Sequence, residues 1–202
     1  MSRRLVFVLC LLFGSAAFAR VDVKAVDKPK ALFELKLKYM YAIGKAEDGD
    51  APITVLNGRV YVLRSSPGGE TTIEDSMKTR TSSLLVTHVK NWTEAQLAGE
   101  ARTPANLGPF MNTVLKKTGY ELPGVFPFLI KGTFTAIVVE KESFKKISGI
   151  LVGFLTKTLP TDHGSAQFKM DMHFVDDGGK RVGRVSDFAI NADSKATLFL
   201  PE

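Results

Sequence analysis

The stretch Phe168–Phe188 reads FKMDMHFVDDGGKRVGRVSDF, and its alternation decides how the fold is read. Successive side chains of a strand point to opposite faces, so Phe168, Met170, Met172 and Phe174 share one face and Lys169, Asp171 and His173 the other. Gly178 and Gly179 supply turn chemistry, and Arg184 follows on the returning strand. The pattern predicts a β-hairpin whose apolar face belongs to a core. A two-residue turn at Gly178-Gly179 sets His173 opposite Arg184 and Asp171 opposite Ser186. A turn at Asp177-Gly178 sets Asp171 opposite Arg184 instead. Both registers put Asp171, His173 and Arg184 on one face, within cross-strand reach. That face reads as a metal site, the remains of one, or a solvated sheet surface.

Zinc chemistry needs three protein ligands and an open fourth position. Asp171 and His173 qualify as ligands. Arg184 does not, because a guanidinium has no lone pair to give and carries a fixed positive charge.

Working outward, the flanking segments are also rich in strands. ISGILVGFLT (Ile147–Thr156) and FPFLIKGTFTAIVVE (Phe126–Glu140, with a break expected at Gly132) read as strand material. ITVLNGRVYVLRS (Ile53–Ser65) is two β-rich runs around Asn57-Gly58, the strongest short hairpin signal. Pro67-Gly68-Gly69 makes a further turn, and SSLLVTHVK (Ser82–Lys90) a further strand. ALFELKLKYMY (Ala31–Tyr41) fits a strand or a short amphipathic helix, and its pattern leaves both open. Val21–Lys30 reads as a leader or edge segment, Lys45–Asp50 and Leu159–Ser165 as loops, and Phe188–Leu200 as one or two short strands. Thr93–Glu100 reads as a helix capped by Thr93, with Glu94 in its first turn, and Leu107–Thr118 as a second helix ended by Gly119. Together these give an α+β class: a β-dominated mixed fold of two packed, sheet-rich lobes.

The chain has 202 residues, enough for one domain with a sizeable core. Its first 19 residues read as a secretory signal peptide. Arg3 and Arg4 precede the apolar run Leu5–Phe13, which is too short to span a bilayer, and Ala17-Phe18-Ala19 supplies a cleavage site. Residues 20–202 then form a single domain, exported to a bacterial periplasm or secreted, with no membrane attachment after cleavage. The one cysteine, Cys10, lies in the signal, so no disulfide or thiolate ligand is expected. The formal net charge is +6, falling to +4 once Arg3 and Arg4 are set aside. The charges are interspersed, with no basic stripe among aromatics, which excludes nucleic acid as the main partner.

In chain order, ITVLNGRVYVLRSSPGG, FPFLIKGTF, ISGILVGFLTKTLP and the hairpin resemble the segments of the alpha-acetolactate decarboxylase family. The resemblance implies a two-lobed mixed β fold, usually dimeric. It also implies a zinc ion acting as Lewis acid while acetolactate loses carbon dioxide and becomes acetoin. Carried over residue by residue, His173 matches the second zinc histidine. Asp171 stands in place of the first, Arg184 in place of the third, and Lys131 in place of the substrate-binding arginine. Lys131 keeps that arginine's charge without its fork. The family's glutamate ahead of the Asn-Gly turn falls on Pro52, or on Asp50 only with an insertion, and its C-terminal acidic residue has no counterpart.

One conventional ligand of three remains. Asp171 and Arg184, of opposite sign, are expected to pair beside His173 in the space of the metal. Lys131 and Arg184 then offer a cationic site for a small carboxylate. The leading expectation is an acetolactate-decarboxylase-like protein without a cofactor, binding a small carboxylate or a protein partner. The alternative is a divergent zinc-dependent decarboxylase that uses Asp171 and His173 with His163 or His88.

Overall fold

The computed structural model describes residues 21–65, 71–74, 76–97, 102–117, 124–158, 167–191 and 194–202. The expected signal peptide, the Pro67-Gly68-Gly69 turn, the Gly119 stop and the Leu159–Ser165 loop with His163 lie outside these residues. The chain order is β1 (Val23–Val26), β2 (Lys30–Ala31), a 3-10 turn (Leu32–Glu34), β3 (Met40–Ala46), β4 (Pro52–Leu56), β5 (Arg59–Ser65), β6 (Thr71–Glu74), β7 (Arg80–His88) and β8 (Trp92–Ala95). It continues with α1 (Pro104–Lys117), β9 (Val125–Val139), β10 (Glu142–Thr158), β11 (Gln167–Asp176), β12 (Val182–Ala189) and β13 (Ala196–Pro201). This is the β-dominated architecture of two sheet-rich lobes that the sequence predicts.

The first lobe is an antiparallel sheet in the order β1-β7-β3-β4-β5-β6, with β2 also on β7. Its β4–β5 hairpin turns at Asn57-Gly58, where φ is 49° and 85° and Leu56 faces Arg59. Two positive φ values match the right-handed twist of the strands. One face of the sheet buries Met40, Ile53, Val55, Val60, Val62 and Leu84 beneath Leu32, with Leu35 and Leu37 packed alongside. Most of Ala31–Tyr41 is therefore neither strand nor α-helix. A 3-10 turn and non-regular chain lay its leucines over the sheet, and β3 begins only at Met40.

The second lobe closes on itself. β9 pairs with both β10 and β12, β10 with β11, and β11 with β12. β13 and β8 extend the sheet from β9. Inside lie Phe126, Phe128, Phe134, Leu151, Phe174 and Phe188, joined by Leu107, Met111 and Leu115 of α1. Spacing of four along α1 places those three on one helical face. β9 does not break at Gly132. It runs on through a φ of 147° that glycine tolerates, and a side chain there would collide with the Lys195 carbonyl just ahead of β13.

The helix expected over Thr93–Glu100 is instead the strand β8 where the structure describes it. Thr93 pairs with Leu200, and its hydroxyl donates to Glu202 Oε1 at 2.8 Å rather than capping a helix. A β-branched residue beside Trp92 suits a strand once a partner strand exists, and tertiary pairing overrides the local cap signal.

The lobes meet face to face. Tyr41 and Ile43 of β3 pack with Leu129, Val152 and Phe154 of the second lobe, and Tyr61 of β5 packs with Val175 and Val182.

Candidate functional site

The β11–β12 hairpin sits on this seam. Its ladder pairs His173 with Arg184, Phe174 with Gly183 and Val175 with Val182, the register expected from a turn centred on Gly178-Gly179. The loop is wider than two residues. The Asp176 carboxylate accepts the N–H groups of Lys180 and Arg181 at 2.6 and 2.9 Å, which holds a loop over residues 177–180. Met172 and Phe174 enter the core of the closed lobe, as the alternation requires. The opposite face is partly covered by the first lobe, which buries His173 and leaves Lys169, Asp171 and Arg184 in contact with solvent.

His173 is 4% exposed. Its Nδ1 and the Thr54 hydroxyl of β4 are hydrogen-bonded at 2.8 Å across the seam. Its pKa is lowered to about 3, chiefly by burial and then by the charge of Arg184, with hydrogen bonding to the Ile53 main chain opposing. The ring is thus neutral at ordinary pH.

Asp171, His173 and Arg184 line one cleft of about 240 Å³. Across it stand Asp27, Lys45 and Ser83 of the first lobe. The sequence pattern brings the first three together correctly, but their pairing differs from expectation. Asp171 meets Lys169 at 3.4 Å, and Arg184 meets Glu140. The distance from Arg184 Nε to Glu140 Oε1 is 3.1 Å and from Nη2 to Oε2 is 3.3 Å. The Arg184 main-chain N–H also donates to Glu140 Oε1 at 2.6 Å. Ladder pairing with β12 stops at His173, and β12 then crosses to β9. The expected Asp171–Arg184 contact is displaced because Glu140, at the end of β9, reaches Arg184 by that crossing.

The other candidates lie elsewhere. Lys131 is exposed on β9, between Ile150 and Thr197 in the sheet, and does not line this cleft. His88 ends β7, where its Nε2–H donates to the Lys36 carbonyl at 2.6 Å, and it lines a separate cleft with Val21 and Glu202. Lys45 pairs with Asp50 at 3.4 Å.

Sequence reasoning assigned no role to Glu140, Thr54, Lys45 or Ser83. Glu140 carried one local signal. The dipeptide Glu140-Lys141, between two strand-like runs, forms a tight turn with φ of 48° and 75°.

No protein-family model matches the sequence, and no curated protein matches it. Solved structures do match. A Staphylococcus aureus protein of unknown function, described as similar to alpha-acetolactate decarboxylase, aligns with a TM-score of 0.62 at 18% identity, over 88% of this chain and 79% of that one. Alpha-acetolactate decarboxylase from Bacillus subtilis strain 168 gives 0.60 and 19% over 87% and 79%. Acetolactate decarboxylase from Bacillus subtilis subspecies spizizenii gives 0.57 and 20% over 80% and 73%.

Proposed function

We propose that this chain, built on the acetolactate-decarboxylase-like fold, is an exported protein without zinc-dependent decarboxylase activity, and that its interlobe cleft binds a small carboxylate. The observation that carries the reading is Arg184 standing directly opposite the buried, neutral His173. A fixed cation beside a histidine opposes a second cation on that histidine.

The donor set does not fit zinc. Among the described residues no three His, Cys, Asp or Glu side chains come together as ligands. Asp27, Asp171 and His173 line the cleft without converging as a ligand set, and the position facing His173 holds a guanidinium. A carboxylate would find two cations in the same cleft, Arg184 and Lys45, beside the carboxylates of Asp27 and Asp171. Arg184 offers hydrogen-bond donors in a planar fork, and Ser83 can bond a hydroxyl on the ligand. The cleft's volume suits a molecule of a few heavy atoms. The reading places the binding cation at Arg184, with Lys131 outside the cleft.

One test uses the tag-free mature protein with added zinc and acetolactate, together with calorimetric titration of 2-hydroxyisobutyrate. The proposal expects no acetoin, and saturable binding that Arg184→Gln abolishes. Acetoin formation at a steady catalytic rate, or no binding of any small carboxylate, overturns it.

A second reading has one observation in its favour. Asp171 and His173 point into the same cleft, and a partner on the far ring nitrogen, here Thr54, is what a metal-bound histidine commonly has. That reading expects zinc-dependent acetoin formation, lost in His173→Ala.

A further inference from the structure

We infer that Glu140 is a positioning residue for Arg184: it grips one edge of the guanidinium and leaves the other edge to meet the ligand's carboxylate. This rests on the carboxylate-binding reading above and adds the residue that sets its geometry.

Glu140 holds Arg184 at three points. Its Oε1 accepts the main-chain N–H at 2.6 Å and Nε at 3.1 Å, and its Oε2 accepts from Nη2 at 3.3 Å. The Glu140 main-chain N–H in turn donates to the Arg184 carbonyl at 3.0 Å. A guanidinium has five N–H donors. Two are engaged with Glu140, which leaves both Nη1 protons and one Nη2 proton, a second fork suited to another carboxylate.

Gly183 makes this grip possible. Its φ is 154°, and a Cβ built on it would lie 2.4 Å from Glu140 Cγ. Only a bare backbone lets the Glu140 side chain cross over β12 to Arg184.

The opposite reading makes Glu140 a competitor that an incoming carboxylate displaces. The main-chain bond argues against it, because displacement would break it together with both guanidinium bonds, three contacts that the ligand would have to outcompete. A brace is also useful in its own right. Arginine is rich in rotamers, and holding it in advance removes an ordering cost from binding.

The test is Glu140→Gln, which keeps shape but removes charge and one acceptor, titrated with 2-hydroxyisobutyrate beside the wild type and Arg184→Gln. Loss of an ordering hydrogen bond is expected to weaken binding about tenfold, with Arg184→Gln weaker still. Unchanged or tighter binding in Glu140→Gln, with wild-type binding intact, overturns the brace and leaves the carboxylate reading standing. No binding even by the wild type defeats the carboxylate reading itself.

A second measurement does not depend on any variant folding. The Arg184 Nε–H resonance of the wild type is expected to stay in place as 2-hydroxyisobutyrate saturates, because Glu140 keeps that proton while the ligand takes the far edge. A large shift or loss of that resonance on saturation marks displacement of Glu140 and overturns the brace.

Discussion

The two faces of β11 pose opposite problems. Met172 and Phe174 enter a core of aliphatic and aromatic side chains, where Phe174 meets Phe134 edge-on at 5.4 Å. His173, between them in sequence, enters a seam where it must find Thr54. On the first face any apolar residue of the right volume serves, and local alternation reveals it. On the second, the chemistry depends on what another lobe brings. The difference teaches that the closed lobe carries stability while the seam carries the polar chemistry.

Substitutions on the two faces can sharpen or break that contrast. Phe174→Ala is expected to have the largest effect, about 3–5 kcal/mol of lost stability in urea unfolding, because it opens a cavity in a packed core. A loss as small as that of an exposed residue would deny the closed lobe its structural role.

Next comes pH. His173 is held to about 3 in the folded protein, whereas a free imidazole titrates near ~6.5. Between those values the unfolded chain binds the extra proton. Its stability contribution is whole above the unfolded value and is lost as pH falls toward the folded one. Wild type should therefore lose stability more steeply than His173→Gln, by about 1.4 kcal/mol per pH unit, in unfolding curves across that interval. Parallel curves would mean that His173 is not buried neutral.

Thr54→Val comes third. It leaves the His173 Nδ1 without its partner at the seam, at a cost of about 1–3 kcal/mol, measurable in the same unfolding experiment. Arg184→Gln is expected to change stability least, by no more than about 1 kcal/mol, since its pair with Glu140 is partly solvated. A larger loss would make Arg184 a structural residue rather than a binding one.

These residues also show what could be read without a structure. The Asn57-Gly58 hairpin, the α1 face and the β11 alternation are local patterns, and the register of the site hairpin is one of the two that the sequence left open. Resemblance of ordered segments led to the fold shared with the solved decarboxylases. Partners across long separations did not show. Thr54 lies 119 residues from His173 and Glu140 lies 44 from Arg184. Either could be named only once the lobes had docked and β12 had crossed to β9. Thr93 misled for the same reason, because its cap-like local signal says nothing of β13.

The most direct test of the central claim, that the seam histidine does not hold zinc, is elemental analysis of the tag-free protein after expression and dialysis with added zinc. The account predicts far less than one zinc per chain, unchanged by His173→Ala. One zinc per chain, lost in His173→Ala, would contradict it.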